Sequence, residues 1–274
     1  MVQDRPINSD ESAFVKYTLA PAFDIVNPGP IRLKYLILST PRSGSTMLSA
    51  ALSGSRFAGA PSEYFHKYPL KRAGNPELYP NGLNTYFDGL LSRRTTANGV
   101  FGMKLHFSQF QRLFGANQES LSYGMAFLMQ FDRFIITSRQ DKILQAISLI
   151  FASESNTWNT DSESSENLNG RDFRQDDTMK ICNSMRSLTS NESSWRKLMK
   201  KMNITPFEIV YENMCDQPNK TFQKLKDYLK IPELEHVELE ASTFKITDPL
   251  KALDMKQKFL QDIRALNTSI PDPD

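Results

Sequence analysis

A short apolar run near the start of the chain leads into a cluster of hydroxyl, glycine and cationic residues. The run covers residues 35–38, and the cluster consists of Arg42, Ser43, Gly44, Ser45 and Thr46. Apolar residues at helical spacing follow, so the backbone N–H groups of the cluster would lie at the start of a helix. Such a start binds phosphate or sulfate through its free N–H groups and the positive end of the helix dipole. The spacing therefore predicts an anion-binding loop.

This loop differs from the loop of P-loop nucleotidases. It lacks the second glycine and the lysine of a GxxxxGK[ST] sequence, and no clear aspartate ends a second predicted strand to help hold Mg²⁺. Serine and threonine also occur at strand-to-helix turns as ordinary helix caps. Residues 34–55 alone therefore leave two interpretations open, an anion site and a capped turn, and the charge of Arg42 favours the anion site.

A second candidate anion site follows another apolar run. Thr137, Ser138 and Arg139 end that run, and Ser148 lies nine residues beyond Arg139 on a predicted helix. Ligands of open α/β sheets bind beyond the carboxyl ends of the strands, so we expect both candidate sites at one edge. For Arg139 alone, a surface ion pair is the competing interpretation. Two anion sites at one edge predict a ligand with two separated anionic groups.

Composition excludes several classes of protein. The 274 residues include 33 Lys+Arg and 31 Asp+Glu, a net charge of +2 that calls for neither nucleic acid nor an anionic membrane as partner. The two cysteines, Cys182 and Cys215, are too few for a disulfide scaffold and lack the spacing of metal ligands. We find no signal peptide and no apolar run near the ~20 residues that span a bilayer. These features predict a cytoplasmic protein without a transmembrane segment.

Predicted strands and helices alternate along the chain. Strands are predicted at residues 35–38, 100–107, 134–138 and 207–212, with helical patterns between them. Residues 181–202 keep helical spacing as one long helix or a broken pair. The alternation predicts an α/β fold of three layers, P-loop-like, with a central and mostly parallel sheet flanked by helices.

The segments outside this alternation are predicted to surround one domain. We expect residues 1–30 to form an N-terminal arm that packs along the domain or on a partner subunit, and residues 31–274 to form a single domain. Residues 57–80, dense in Pro, Gly and aromatic residues, are expected to be irregular and to lie over a site. Residues 153–177 are rich in Ser, Asn, Asp and Glu and predict a polar loop or lid.

The chain resembles bacterial carbohydrate sulfotransferases of the trehalose 2-sulfotransferase type. The resemblance spans about residues 31–255 and lies in the segments YLILSTPRSGSTML, GAPSEYF (59–65), NGVFGMKL (98–105), SRQDKILQAIS and IVYENM (209–214). It implies 3′-phosphoadenosine-5′-phosphosulfate (PAPS) as the sulfonate donor, no metal, and a homodimer. By the same resemblance, residues 42–46 hold the 5′-phosphosulfate, and Arg139 and Ser148 hold the 3′-phosphate.

The resemblance also assigns the catalytic groups. Glu63 in PSEYF matches the general base of the family, and Lys104 matches a lysine that helps to place the sulfonate. Arg42 stands where many sulfotransferases have lysine, and it can offset charge on the leaving phosphate. We expect the neighbouring rings of Tyr64 and Phe65 to exclude water and to raise the pKa of Glu63.

The acceptor is implied to be a carbohydrate or a glycolipid. Tyr64, Phe65, His106 and Trp158 are the candidate acceptor-binding residues, since they offer stacking faces and hydrogen-bonding groups. A part in proton transfer is left open for His106 and for His66. The competing functions are a P-loop-like small-molecule kinase and a non-catalytic protein that binds an anionic nucleotide.

Overall fold

A four-stranded parallel sheet forms the centre of the protein. The computed structural model describes residue 19 and residues 24–79, 81–155, 172–174, 176–234 and 249–268. The strands lie in the order β2-β1-β3-β4. Their bounds are β1 (Leu33–Ser39), β2 (Val100–His106), β3 (Arg133–Ser138) and β4 (Phe207–Val210). The predicted α/β class with a parallel sheet is confirmed.

Helices flank the sheet and make up most of the remaining described chain. They are α1 (Ser45–Gly54), α2 (Lys67–Arg72), α3 (Gly82–Arg94), α4 (Phe107–Phe114), α5 (Gln118–Leu128), α6 (Lys142–Ser155), α7 (Asp177–Lys201), α8 (Tyr211–Asp216), α9 (Pro218–Leu229) and α10 (Pro249–Thr268). Single 3₁₀ turns occur at Pro76–Leu78 and Pro232–Leu234. Across these described segments we find no helix both long enough and apolar enough to cross a membrane.

Strand β1 is buried on both faces, which explains its unbroken apolar run. Successive side chains of a strand point to opposite faces. Leu36 and Leu38 therefore pack on one side with apolar residues of α3, α4, α5 and α7. Tyr35 and Ile37 pack on the other side with residues of α1 and α9. Apolar residues therefore occupy successive positions of β1 rather than alternate ones.

The register of the sheet gathers the ends of all four strands at one edge. Ser39 at the end of β1 pairs with His106 at the end of β2, and Ser138 of β3 pairs with Val210 of β4. The segments that leave these strands begin side by side. The expectation that both candidate anion sites share one edge agrees with this register.

Some predicted boundaries are wrong. Strand β4 was expected to reach residue 212 but ends at Val210, and β2 was expected to reach residue 107 but ends at His106. In each case the neighbouring strand also ends there, so no pairing partner is left. Residues 57–80 are not wholly irregular, since they contain α2 and a 3₁₀ turn. The stretch 181–202 is the larger part of one unbroken helix, α7.

Two segments set apart by composition are only partly described. Residues 24–30 lie along the domain, where Ile25 N–H donates to the Arg93 carbonyl at 2.9 Å and Gly29 N–H to the Thr96 carbonyl at 3.2 Å. At the predicted polar loop, α6 continues to Ser155 and α7 begins at Asp177. Residues 156–171, and with them Trp158, lie outside the described residues.

Candidate active site

The loop between β1 and α1 is held in shape by one buried serine. The Ser43 hydroxyl lies 2.8 Å from the Thr40 carbonyl, to which it donates, and 2.8 Å from Thr137 Oγ1 at the end of β3. Arg42 and Gly44 take left-handed backbone conformations, with φ of 61° and 83°. Ser43 therefore joins the two predicted anion sites, and the first turn of α1 offers the N–H groups that have no partner within the helix.

Gly44 is required by a close approach of helix α8. A Cβ atom at Gly44 would lie 2.8 Å from Cδ2 of Tyr211 and 2.9 Å from Cε of Met214. Its positive φ is a second reason for glycine, because residues with a Cβ atom rarely adopt that backbone conformation. The corner between β4 and α8 is thus packed directly against the loop.

Two guanidinium groups lie together beside this loop. Arg42 Nε donates to Ser148 Oγ at 3.0 Å, and the Arg139 guanidinium lies over the Tyr211 ring, 4.5 Å from its centroid. Burial lowers the pKa of Arg42, and the positive charge of Arg139 lowers it further. Arg139 Nε is buried without a hydrogen-bond partner. An anion at this place would offset the repulsion between the arginines and accept the free Arg139 hydrogen.

The structure changes the expected grouping of these residues. The resemblance placed Arg42 with the 5′ group of the donor, and Arg139 and Ser148 with the 3′ group. The Arg42 side chain instead reaches Ser148 on α6, so its guanidinium lies with the second group. Its backbone remains in the loop after β1. Arg42 therefore bridges the two predicted sites.

The carboxylate of Glu63 is held by three neighbouring side chains. Lys104 Nζ lies 2.9 Å and His106 Nε2 3.3 Å from Oε1, and Gln109 Nε2 donates to Oε2 at 2.7 Å. Lys104 Nζ also donates to Thr46 Oγ1 at 3.0 Å. The side chains of Glu63 and Lys104 are only 12% and 6% exposed, so water screens their interaction weakly. Lys104 thereby joins the predicted base to the anion loop.

The pKa of Glu63 is shifted in the direction opposite to our expectation. Burial alone would raise this pKa, but the charges and hydrogen bonds of His106 and Lys104 outweigh burial and hold it well below the usual range. The prediction of a raised pKa is wrong because strand β2 places these two side chains directly against the carboxylate. Glu63 is consequently ionised throughout the neutral range.

Two of the four candidate acceptor-binding residues belong to the core. Tyr64 and Phe65 are 1% and 0% exposed. The Tyr64 ring stacks on Phe101 and its hydroxyl donates to the Ala60 carbonyl, while Phe65 packs against Phe127. Their rings therefore cannot contact an acceptor, and that prediction is wrong. They fix the segment that carries Glu63.

The two histidines near Glu63 have different roles. His106 Nδ1 lies 2.8 Å from Ser39 Oγ, so both of its ring nitrogens have protein partners. His66 caps helix α2, with Nδ1 accepting from the Tyr68 N–H at 3.4 Å. Burial lowers the pKa of His66 to about 4, which leaves it neutral at neutral pH. Neither arrangement favours a histidine over Glu63 as the base.

Two buried glutamines were missed by the sequence analysis. The Gln109 amide is oriented by the His106 N–H, which donates to Oε1 at 3.0 Å. Gln145 Nε2 donates to Thr40 Oγ1 at 3.0 Å and to the Pro41 carbonyl at 2.8 Å. A glutamine three residues into a helix is a capping-box signal that could have drawn attention to Gln109. Gln145 lies in the segment SRQDKILQAIS, where the spacing of the apolar residues does not distinguish it from the other polar residues of the helix.

Metal-ligand chemistry is not evident in the described part of the chain. No group of three or more His, Cys, Asp or Glu side chains there is placed to hold a metal ion.

Comparison with known proteins gives one sequence family. The family model described as Stf0 sulphotransferase matches residues 34–249. No curated protein matches the chain. Among solved structures, the sulfotransferase domain of the olefin synthase from Synechococcus PCC 7002 is similar at 16% identity, covering 89% of this chain and 97% of that one, with a TM-score of 0.41. A sulfotransferase from Alicyclobacillus acidocaldarius is similar at 13% identity, covering 87% and 96%, with a TM-score of 0.45.

The contact between Lys104 and Glu63 predicts a measurable pKa change. Lys104→Met should raise the pKa of Glu63, because it removes one of the cations that favour the ionised form. A ¹³C NMR titration of the Glu63 carboxyl, identified by its loss in Glu63→Gln, measures this directly. Lys67→Met is the matched control, since Lys67 is exposed and lies four residues after Glu63. An unchanged titration midpoint of Glu63 in Lys104→Met would show that Lys104 does not lower the pKa of this carboxylate.

Proposed function

The chain belongs to the Stf0 sulphotransferase family, and on that premise we propose that it transfers a sulfonate group from PAPS to a hydroxyl group of a carbohydrate or glycolipid. One observation carries the transfer of a sulfonate to a hydroxyl group. A buried carboxylate and an anion-binding helix start are joined by one lysine, with Lys104 Nζ 2.9 Å from Glu63 and 3.0 Å from Thr46. A base beside an anion site is what transfer of a sulfonate to a hydroxyl requires.

The donor would be held at two places along the strand edge. We assign the 5′-phosphosulfate to the loop of residues 42–46 and the N–H groups at the start of α1. We assign the 3′-phosphate to Arg139, Ser148 and the guanidinium of Arg42. The buried free Nε of Arg139 and the nearness of the two arginines support this second assignment. Ser43 shapes the loop with its hydroxyl, which leaves its backbone N–H as the group available to an anion.

The chain supplies the proton acceptor and the counter-charge for the reaction. As the acceptor oxygen bonds to sulfur, Glu63 takes its proton, and the bond from sulfur to the 5′-phosphate oxygen breaks. Lys104 and the N–H groups at the start of α1 stabilise the negative charge that develops on the leaving phosphate. His106 and Gln109 keep the Glu63 carboxylate in place through their contacts with Oε1 and Oε2.

Lys104 also links the strength of the base to the presence of the donor. While His106 and Lys104 lie against Glu63, the carboxylate is a weak base, because both side chains favour its ionised form. Anionic groups in the loop would attract Lys104 away from Glu63, and the pKa of Glu63 would then rise. A higher pKa makes the carboxylate a better proton acceptor.

The carbohydrate or glycolipid acceptor is supported by the resemblance to the trehalose 2-sulfotransferase type. Incubation with ³⁵S-labelled PAPS and a panel of sugars, glycolipids and phenols should give labelled carbohydrate. The reaction should proceed in the presence of a chelator, since the proposed chemistry uses no metal. Label on phenols alone would overturn the acceptor class. Phosphate transfer from labelled ATP that depends on Mg²⁺ would favour the kinase instead.

Glu63→Gln tests the general base. The variant should bind 3′,5′-bisphosphoadenosine at least as tightly as the wild type, because Glu63 no longer competes with the ligand for Lys104. Turnover should fall by about 10²–10⁴, the usual effect of losing a general base. Glu77→Gln is the matched control, because Glu77 lies in the same segment and pairs with Arg112 at 3.5 Å. Normal turnover by Glu63→Gln would show that another group accepts the proton.

Arg139→Ala tests the assignment of the 3′-phosphate. It should weaken binding of 3′,5′-bisphosphoadenosine much more than binding of 5′-AMP, because only the first ligand has the group that Arg139 is assigned to hold. Calorimetry gives, for each ligand, the ratio of the dissociation constants of the variant and the wild type. Arg133→Ala is a control on the same strand, since Arg133 begins β3 and lies at the opposite end of the strand from Arg139. Equal losses for the two ligands would contradict the assignment.

A further inference from the structure

The turn that carries Arg139 is held from one side by Glu212. Residues 139–141 connect the end of β3 to α6. The Glu212 carboxylate accepts the N–H of Gln140 at 3.0 Å and the N–H of Asp141 at 3.1 Å, one on each oxygen. Glu212 follows Tyr211, whose ring lies under the Arg139 guanidinium. The corner between β4 and α8 therefore supports both the backbone and the side chain of this turn.

Lys256 holds the same turn from another side. Its Nζ lies 2.5 Å from Asp141 Oδ2, and Asp141 Oδ1 accepts the Leu144 N–H at 2.9 Å, which caps the start of α6. Burial would raise the pKa of Asp141, but the hydrogen bonds from Leu144 and Lys256 and the charge of Arg139 lower it. An ionised Asp141 thus connects α10 to the residues immediately after Arg139.

Helix α10 is docked firmly enough to place Lys256. Met255 and Phe259 are buried in an apolar cluster with residues of α6 and α7, among them Ile147 and Ile181. Thr178 Oγ1 donates to Asp262 Oδ2 at 2.6 Å, a polar contact between α7 and α10. The family match ends at residue 249, where α10 begins. The Lys256 contact is therefore a feature of this chain beyond the matched region.

We propose that Glu212 and Lys256 are positioning residues that hold Arg139 toward the 3′-phosphate of the donor, so that α10 forms part of the support of the donor site. The inference rests on the proposed function. Neither side chain is assigned a contact with the donor. Each acts through the backbone or the cap of the turn, and a guanidinium fixed beforehand loses less entropy when it binds a phosphate.

A double-mutant cycle separates this role from general structural support. Binding of 3′,5′-bisphosphoadenosine and of 5′-AMP is measured for the wild type, Glu212→Gln and Lys256→Met, each with and without Arg139→Ala. A glutamine would turn an N–H₂ group toward one backbone N–H. We expect each single variant to weaken bisphosphate binding by about tenfold, as for one lost charge-assisted hydrogen bond, and to leave 5′-AMP nearly unaffected. In the Arg139→Ala background neither change should weaken binding further.

Matched controls exist for both positions. Glu208→Gln removes a carboxylate of β4 that pairs with Arg196 rather than with the turn. Lys258→Met removes a lysine of α10 that pairs with Asp254 on the same helix at 2.9 Å. Both control variants should discriminate between the two ligands as the wild type does. Lys256→Arg should restore the discrimination that Lys256→Met loses.

The outcomes distinguish this inference from the proposed function. Equal losses for both ligands, or losses that add to that of Arg139→Ala, would overturn the positioning role while the donor assignment stands. A wild type that does not prefer the bisphosphate to 5′-AMP would overturn both. If Glu212→Gln does not fold, the Lys256→Met and Lys256→Arg pair alone decides the positioning role through the same cycle.

Discussion

The buried ion pair between Lys104 and Glu63 is the interaction on which the proposed active site depends. A lysine that is almost wholly buried is costly unless its charge is paired and hydrogen-bonded. Glu63 and Thr46 meet that requirement from two different segments. The Lys104 N–H also donates to the Ser62 carbonyl at 3.0 Å, so backbone and side chain together hold the Glu63 segment beside β2. The fold thus obtains the positions of the proposed base and of the proposed anion loop from one residue of the sheet.

The arginines beside the loop show the opposite situation, in which charges of the same sign are brought together. Burial and the charge of Arg139 both disfavour the ionised form of Arg42, as its lowered pKa shows. Buried hydrogen bonds hold the loop in place against this repulsion. Ser43 joins the loop to Thr137, and Gln145 donates to Thr40 and Pro41, the two residues before Arg42. A site that is rigid and electropositive before its ligand arrives needs little reorganisation when an anion binds.

Sequence patterns predicted the parts of the site that follow from strand ends. The apolar run of β1 and the residues after β3 were sufficient to place Arg42 and Arg139 at one edge, because parallel strands end together. The role of the aromatic pair after Glu63 was not predictable. The sequence does not show whether an aromatic residue next to a glutamate faces the site or the core. Both rings face the core here. The pKa of Glu63 is lowered rather than raised because His106 and Lys104 of β2 lie beside it. This strand is distant from Glu63 in sequence and becomes its neighbour only through folding.

The two kinds of charge arrangement have a joint consequence under the proposed function. Without donor, His106 and Lys104 keep the proton affinity of the Glu63 carboxylate low. Lys104 also contacts Thr46, so a cation of the protein itself lies at the loop. Donor anions compete with Glu63 for Lys104, and they also offset the repulsion between Arg42 and Arg139. Binding of the donor would therefore complete the anion site and raise the proton affinity of the base in one step. An acceptor that arrives first meets a weak base, and this couples deprotonation of the acceptor to the presence of the group it is to receive.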